Sequence, residues 1–208
     1  KKPRVLWLML PAGKPTDGVL QQLIPLLDKD DIVIDAANSF YKDTIKRAKR
    51  LQAKGLRFVD VGVSGGPPGA RYGASLMVGG ERKNFDYLLP LFVDIAVPAG
   101  VQFFPGAGAG TFVKTIHNGI EYGMMQAIAE GFEILKQARY KLDLNYVVDV
   151  YSHGTVIESK LINWLKDGLQ IYGVDLKKIS TSVPRQGEGD WTVETANELK
   201  VKAKIIDI

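Results

Sequence analysis

The stretch KTIHNGIEYG carries four polar side chains at positions i, i+3, i+4 and i+7, namely Lys114, His117, Asn118 and Glu121. A helix advances about 100° per residue, so these four side chains share one stripe roughly 100° wide. The residues around them in the chain are mostly apolar or small. Such a polar stripe is either a solvated helix face or a row of proton-transfer groups along a cleft. The apolar surroundings favour the cleft.

The chemistry that this stripe permits begins with the lysine. A base that helps to oxidise a secondary alcohol needs a pKa near neutrality, and removing a lysine from water lowers its pKa toward that range. The resulting ammonium polarises the new carbonyl group and provides the electron sink that loss of CO2 from a β-keto acid requires. The enediol left behind needs a proton from a separate acid, and a carboxyl group two helical turns along is positioned to supply it.

The composition excludes several other kinds of site. The 208 residues include no cysteine, so this sequence holds no disulfide, thiolate nucleophile or cysteine-ligated metal. Its two histidines, His117 and His153, are too few for a multi-histidine zinc site. We therefore predict no metal site.

Charge and hydropathy predict a protein that binds neither nucleic acid nor membrane. The formal net charge is +4, and the densest basic cluster, KRAKR at 46–50, has the spacing of a solvent-facing helix. No nucleic-acid-binding module accompanies it. No apolar run approaches the roughly 20 residues needed to cross a bilayer. The short run at 4–10 ends in PAG without a signal-peptide cleavage pattern, so we expect a buried strand there and a cytoplasmic protein.

Strand-like and helix-like segments alternate through the first half of the chain. Helical spacing is found at 16–31, 41–55 and 81–96. Short apolar runs that are typical of strands occupy 4–10, 31–38, 57–65, 74–80 and 101–106. This order predicts βαβ units with right-handed crossovers and a mostly parallel sheet.

From Gly106 onward the pattern predicts only helices. The expected elements are a long helix from 106 to about 139, helices at 145–154, 156–170 and 192–201, and a polar loop at 184–191. The change of pattern places a boundary near residue 107, between domains 1–106 and 107–208. The GAGAG at 106–110 lacks the βαβ context of a dinucleotide fingerprint. If the chain serves a dinucleotide enzyme, we expect the pyrophosphate-binding βαβ unit, at least ~30 residues long, to lie outside this sequence.

Several stretches, in order and with close spacing, resemble one enzyme family. They are VLWLMLPAG, VIDAANSFYKDT, VDVGVSGGPPGARYGASLMVGG, GAGAGTFVKTIHNGIEYGMMQAIAE and GEGDWT. Together they resemble the short form of 6-phosphogluconate dehydrogenase (decarboxylating), in the β-hydroxyacid dehydrogenase superfamily. The resemblance covers nearly the whole chain, and FVKTIHNGIEYG is its most specific part.

The resemblance implies an α/β Rossmann-like parallel sheet followed by an all-helical domain. Residues 1–106 would be the remainder of an NAD(P)-binding domain, and 107–208 a helical domain for substrate binding and dimerisation. The implied reaction converts 6-phosphogluconate to ribulose 5-phosphate and CO2 with reduction of NADP or NAD. Apolar helical stretches such as VVDVYSHG and LINWLKDG would be exposed on a monomer, so we expect a homodimer or a larger homo-oligomer.

The same resemblance implies a role for each candidate residue. Lys114 takes the proton from the 3-hydroxyl of the substrate while hydride leaves C3, and Glu121 protonates C1 after CO2 departs. The other implied roles are carboxylate binding by Ser64, Gly65 and Gly66, hydroxyl binding by His117 and Asn118, phosphate contact by Tyr122, and cofactor binding by Pro11, Ala12, Gly13 and Asn38.

Two alternatives stay open. One is a different β-hydroxyacid dehydrogenase or an imine reductase on the same scaffold, although the His117–Asn118 pair and Glu121 favour the decarboxylating enzyme. The other is a non-catalytic oligomerisation module, which only the missing cofactor fingerprint favours.

Overall fold

The computed structural model describes residues 2–180, 182 and 187–207, which form a sheet with interspersed helices and then a helical region. The strands are β1 (Val5–Leu8), β2 (Ile32–Asp35), β3 (Arg57–Ser64), β4 (Ala74–Gly80) and β5 (Ala96–Pro105). The helices are α1 (Lys14–Leu23), α2 (Tyr41–Gln52), α3 (Gly66–Tyr72), α4 (Arg82–Ile95), α5 (Ala109–Gln137), α6 (Leu144–Tyr151), α7 (Lys160–Tyr172) and α8 (Glu188–Glu198). The predicted fold class is confirmed.

The sheet is mostly parallel, as predicted, and its one antiparallel pair has a simple cause. The strand order is β1-β2-β3-β4-β5, with β3 and β4 antiparallel and the other neighbours parallel. Only residues 65–73 join β3 to β4, whereas a parallel connection needs about a dozen residues or more. Most of this link forms α3, a helix that the sequence pattern did not predict.

An apolar core covers each face of the sheet, because successive side chains of a strand point to opposite sides. In β2, Ile32 and Ile34 belong to the cluster that includes Phe92 of α4. Val33, between them, belongs to the cluster that includes Leu20 of α1 and Leu51 of α2. Helices therefore pack against both faces, α4 on one and α1 with α2 on the other.

The chain divides into two compact units, one ending at Asn118 and the other beginning at Gly119. The second unit has its own core, in which Val148 of α6 and Ile162 of α7 are buried. Asp143 and Ser159 precede these helices and accept hydrogen bonds from the backbone N–H groups of residues 145 and 162. Such side-chain caps explain where α6 and α7 begin.

Helix α1 ends at Leu23, although helical spacing was predicted as far as residue 31. Three other elements begin four or five residues from the predicted position. β5 begins at Ala96, five residues before the predicted strand, and the predicted helix at 156–170 begins only at Lys160. α8 begins at Glu188, inside the predicted polar loop, and its first turn carries acidic side chains that suit a helix N-terminus. Residues 184–186 of that predicted loop lie outside the described residues.

Candidate active site

The carboxyl ends of β1, β2 and β3 lie at one edge of the sheet because these strands are parallel. The predicted cofactor residues Pro11, Ala12 and Gly13 follow β1, and Asn38 follows β2. At Gly13 the backbone has φ +80°, which favours glycine, and no heavy atom lies within 4 Å of the position that a Cβ would occupy. Dinucleotides bind to open α/β sheets at this edge, so these residues are suitably placed.

Asn38 connects the end of β2 to the end of β3. Its amide nitrogen donates to the carbonyl oxygen of Val63 at 3.0 Å, and its amide oxygen accepts from the backbone N–H of Val63 at 2.8 Å. Its backbone has φ 49°, a left-handed conformation that asparagine adopts more readily than most residues. The side chain therefore anchors residue 63 directly before Ser64.

Ser64 ends β3, and Gly65 and Gly66 make the turn into α3. A Cβ on Gly65 would lie 2.9 Å from the Cα of Gly69, and φ at Gly65 is +139°, so this turn requires glycine. The hydroxyl of Ser64 lies 3.0 Å from Nε2 of His117. The predicted carboxylate-binding loop and the polar stripe of α5 therefore meet.

The backbone of the first turns of α5 packs directly against the backbone of the sheet, because glycines stand at the points of contact. A Cβ added at Gly62 would lie 2.4 Å from the Cβ of Lys114. A Cβ added at Gly110 would lie 2.2 Å from the carbonyl oxygen of Met77. At Gly79 it would lie 2.5 Å from the backbone nitrogen of residue 110. A side chain at any of these positions would push α5 away from the sheet. The depth of Lys114 against β3 therefore depends on glycine.

Asp60 of β3 accepts hydrogen bonds from the beginning of α5. Its carboxylate is fully buried and accepts from Gly108 N at 2.7 Å, Thr111 N at 2.8 Å and Thr111 Oγ1 at 3.2 Å. Burial raises the pKa of Asp60 to about 6, and these three hydrogen bonds oppose the rise. Asp60 is not among the residues predicted from the sequence, although a carboxylate inside the apolar strand RFVDVGVS is a signal that could have identified it.

Lys114, His117 and Asn118 lie together, as their helical spacing predicts. The ammonium nitrogen of Lys114 donates to Oδ1 of Asn118 and lies 3.3 Å from Nδ1 of His117. The same Nδ1 lies 3.1 Å from Oδ1 of Asn118. Lys114 is only 7% exposed and Asn118 only 4%. The alternative of a solvated helix face is therefore wrong for this part of the stripe.

His117 contacts Ser64 in either neutral tautomer, and in one of them it also accepts from Lys114. With the proton on Nδ1, that nitrogen donates to Asn118 Oδ1, and Nε2 accepts from the hydroxyl of Ser64. With the proton on Nε2, the ring donates to Ser64 Oγ, and Nδ1 accepts from Lys114. The ring can thus reverse its hydrogen bonds without changing position.

Arg47 of α2 holds the loops that follow β1 and β2. The buried guanidinium donates to Asp17 Oδ1 at 2.7 Å, Asp35 Oδ2 at 3.0 Å, Ser39 Oγ at 2.6 Å and Gly13 O at 3.3 Å. The prediction that the KRAKR cluster faces solvent is therefore wrong for this arginine. Its partners come from two other segments of the chain, 13–17 and 35–39, which no local pattern could reveal.

Glu121 and Tyr122 follow on α5, which is continuous from Ala109 to Gln137. Glu121 is half-buried and stands two helical turns after the lysine. Burial raises the pKa of the Tyr122 phenol, and the carboxylates of Glu188 and Glu121 raise it further. The phenol therefore stays protonated at neutral pH and can donate a hydrogen bond.

The described residues offer no alternative site of two common kinds. Among them, no group of three or more histidine, aspartate or glutamate side chains could hold a metal ion. Over the same residues, no helix combines the length and apolarity needed to cross a bilayer. The polar cluster between β3 and α5 is therefore the candidate centre of proton-transfer chemistry.

Two family models match the chain one after the other. The NAD binding domain of 6-phosphogluconate dehydrogenase matches residues 1–104. The C-terminal domain of 6-phosphogluconate dehydrogenase matches residues 110–208.

Individual relatives agree with these matches. A Haloferax volcanii 6-phosphogluconate dehydrogenase, NAD(+)-dependent and decarboxylating, is 41% identical over 97% of this chain and 67% of its own length. The human 6-phosphogluconate dehydrogenase, decarboxylating, is 39% identical over 99% of this chain and 45% of its own length. A Plasmodium falciparum 6-phosphogluconate dehydrogenase, solved in its apo form and in complex with NADP+ and with 6-phosphogluconate, has a TM-score of 0.88 at 32% identity. That match covers all of this chain and 46% of the solved one. The chain thus spans between 45% and 67% of the length of these three proteins.

Proposed function

This chain belongs to the 6-phosphogluconate dehydrogenase family, and we propose that the protein carrying it oxidises and decarboxylates 6-phosphogluconate to ribulose 5-phosphate and CO2, reducing NAD+ or NADP+. The observation that carries this proposal is the buried lysine of α5, held by Asn118 and His117 beside Ser64. A base in such a place is what oxidation of a secondary alcohol requires.

Lys114 is the base of the first step. It accepts the proton of the 3-hydroxyl of the substrate as hydride leaves C3. The ammonium that forms then donates a hydrogen bond to the new carbonyl oxygen, which stabilises the negative charge that develops when CO2 departs. Burial strengthens this interaction, because little water competes for the ammonium.

The substrate is held by groups on both sides of Lys114. Ser64 and the backbone at Gly65 and Gly66 bind its carboxylate, while His117 and Asn118 bind its hydroxyl groups. These assignments are supported by the contact of Ser64 with His117, which puts the two sets of donors next to each other. Tyr122 contacts the phosphate, a role that suits a phenol whose pKa is raised.

Glu121 is the acid of the last step. It protonates C1 of the enediol that remains after CO2 has left. This role is supported by the position of Glu121, two turns from Lys114 along the continuous helix α5. A carboxylic acid separate from the lysine is needed, because the ammonium is then occupied by the enediol oxygen.

The residues at the carboxyl edge of β1 and β2 fit a nicotinamide dinucleotide. Pro11, Ala12, Gly13 and Asn38 would hold it, since the space beside Gly13 is open and Arg47 fixes the loop through the carbonyl oxygen of Gly13. Such a cofactor, when bound, supplies the acceptor for the hydride that leaves C3.

We further propose separate functions for the two parts of the chain and a homodimeric assembly. Residues 1–106 belong to the cofactor domain, and residues 107–208 bind substrate and join two copies into a homodimer. The protein acts in the cytoplasm, where phosphorylated sugar acids and nicotinamide cofactors are both available.

A substrate panel tests the proposal. The purified protein is assayed for reduction of NAD+ and NADP+ with 6-phosphogluconate, 3-hydroxyisobutyrate, glycerate and unphosphorylated gluconate. We expect the highest kcat/KM with 6-phosphogluconate. A higher value with any other acid would contradict the substrate assignment, and no reduction with any of them would contradict the enzymatic role.

A further inference from the structure

We propose that Asp60 is a positioning residue for Lys114, because its buried carboxylate fixes the beginning of α5 on β3 and so determines where Lys114 and His117 stand. This inference rests on the proposed function, in which Lys114 is the base.

The first turn of α5 obtains its capping acceptor from outside the helix. The first N–H groups of any helix lack partners within it, and a side chain at the residue before the helix normally accepts from one of them. Here that residue is Gly108, with φ +88°, and a Cβ on it would lie 2.7 Å from Cγ1 of Ile45. A capping side chain does not fit at this position. Asp60 replaces it, with Oδ1 accepting from Gly108 N and Oδ2 from Thr111 N.

The contacts of Asp60 belong to a row that runs along β3 and α5. Alternate residues of a strand share one face, so residues 60, 62 and 64 all point toward α5. Their contacts on the helix are the pairs Asp60–Thr111, Gly62–Lys114 and Ser64–His117.

Asp60 is the anchor of this row. Gly62 provides space but no bond, and Ser64 is reserved for the substrate in the proposed reaction. The carboxylate lies directly against the backbone of β4, since a Cβ added at Gly79 would lie only 2.5 Å from Oδ1 of Asp60. Both carboxylate oxygens accept from α5, and the side chain is fully buried. Asp60 therefore acts on the reaction through the helix, without touching the reacting atoms.

Substitution Asp60→Asn tests this role with little change of volume. The amide nitrogen must face an N–H group of α5 instead of accepting from it, so the first turn loosens. We expect kcat to fall roughly 10- to 100-fold, the effect of a small displacement of a catalytic group, while KM for the cofactor changes little. Hydrogen exchange of the amides at 108–114 should accelerate.

The matched control is Asp31→Asn. Asp31 is also buried, but it lies before β2 at the opposite edge of the sheet, where it accepts from Arg4 and from the backbone of Asp28. This variant should lose stability and keep its kcat and its exchange rates at 108–114. If Asp60→Asn does not fold, Thr111→Val is the second test, because it removes one hydroxyl, whose proton is shared between Asp60 and the carbonyl oxygen of Gly108. It should lower kcat roughly fivefold, the rate equivalent of about one hydrogen bond.

The outcomes separate the two proposals. A fall of kcat in Asp60→Asn no larger than in Asp31→Asn, or unchanged exchange at 108–114, would overturn the positioning role. Unchanged kcat and exchange in Thr111→Val would overturn it equally. A wild-type protein that reduces no cofactor with any substrate would contradict the proposed function, whereas the exchange measurement would still test how Asp60 holds α5.

Discussion

In the proposed reaction Lys114 acts first as a base and then as an acid, and its surroundings offer hydrogen-bond partners for both protonation states. The ammonium donates to Asn118 Oδ1, and Nδ1 of His117 lies 3.3 Å away. That nitrogen accepts from the ammonium in one tautomer and can donate to the neutral amine in the other. A proton can therefore leave and return to Lys114 without a rearrangement of the site.

Substitution Lys114→Ala tests this role. We expect kcat for cofactor reduction to fall roughly 10³-fold, within the range that a positioned base contributes, and the protein to stay folded. Lys46→Ala is the control, since Lys46 is an exposed lysine of α2 that pairs with a surface aspartate, Asp43. Normal hydride transfer in Lys114→Ala would show that another group is the base.

Asp60 should make stability depend on pH. Its pKa is raised from 3.8 to about 6 in the folded protein, so the folded state binds this proton more tightly than the unfolded state does. The resulting stabilisation is complete below about pH 3.8 and is lost as the pH rises through 6. Two pKa units correspond to about 3 kcal/mol.

Urea unfolding at pH 4 and pH 7 measures this effect. The free energy of unfolding should decrease between these pH values by about 2 kcal/mol more in the wild type than in Asp60→Asn, since part of the full effect lies below pH 4. Equal pH dependence in the two proteins would mean that Asp60 ionises normally in the folded state.

At the scale of elements, the site depends on how closely α5 approaches the sheet. A Cβ at Gly110 would lie 2.2 Å from a backbone oxygen of β4, which cannot move independently of its strand. Gly131 lies on the same helix and has no heavy atom within 4 Å of its Cβ position. The two glycines therefore differ in the space available to an added side chain, and Gly131 serves as the control for Gly110.

Alanine at these two positions should have opposite effects on stability. Gly110→Ala should lower the free energy of unfolding by about 1–3 kcal/mol through overpacking and should reduce kcat as well. Gly131→Ala should raise the free energy of unfolding by up to about 1 kcal/mol, because alanine favours a helix. Chemical denaturation checks both, and a Gly110→Ala protein with wild-type stability would contradict the close contact.

Elements with a local pattern were predictable from the sequence, and those that depend on distant contacts were not. The apolar runs predicted β1 to β4, and the helical periodicity predicted both ends of α5 to within a few residues. The helix α3 begins Gly-Pro-Pro, which looks like a loop in the sequence, although proline fits the first turn of a helix well. β5 begins at Ala96, which pairs with Ala74 of β4, and continues through the exposed stretch VPAG, which lacks the apolar run of a typical strand.

The same distinction applies to the candidate site. Lys114, His117 and Asn118 were found because one helix brings them together. Asp60 and its partner Thr111 are 51 residues apart in the chain, and Arg47 and Asp17 are 30 apart. No spacing rule connects such pairs, so their roles became visible only in the folded chain.

At the scale of the whole molecule, the helical unit exposes large apolar side chains. Ile134, Val150 and Ile171 are 71%, 56% and 70% exposed. Monomeric proteins rarely leave extensive apolar surface in water. Burial of such side chains between two copies would stabilise the helical unit.

We therefore predict a homodimer or a larger homo-oligomer at micromolar concentration. Light scattering gives the mass directly, and repeating it at high salt should leave the mass unchanged, because apolar contacts are not screened. The mass of a single chain under these conditions would contradict the prediction.

The central claim is that one helix supplies both the base for oxidation and the acid for protonation of C1. Exchange of solvent deuterium or tritium into C1 of ribulose 5-phosphate, with reduced cofactor present and no net turnover, isolates the second role. We predict that Glu121→Ala loses most of this exchange, whereas Glu130→Ala, at an exposed position of the same helix, keeps the wild-type rate. Exchange at the wild-type rate in Glu121→Ala would contradict the claim and leave His117 as the next candidate for the acid.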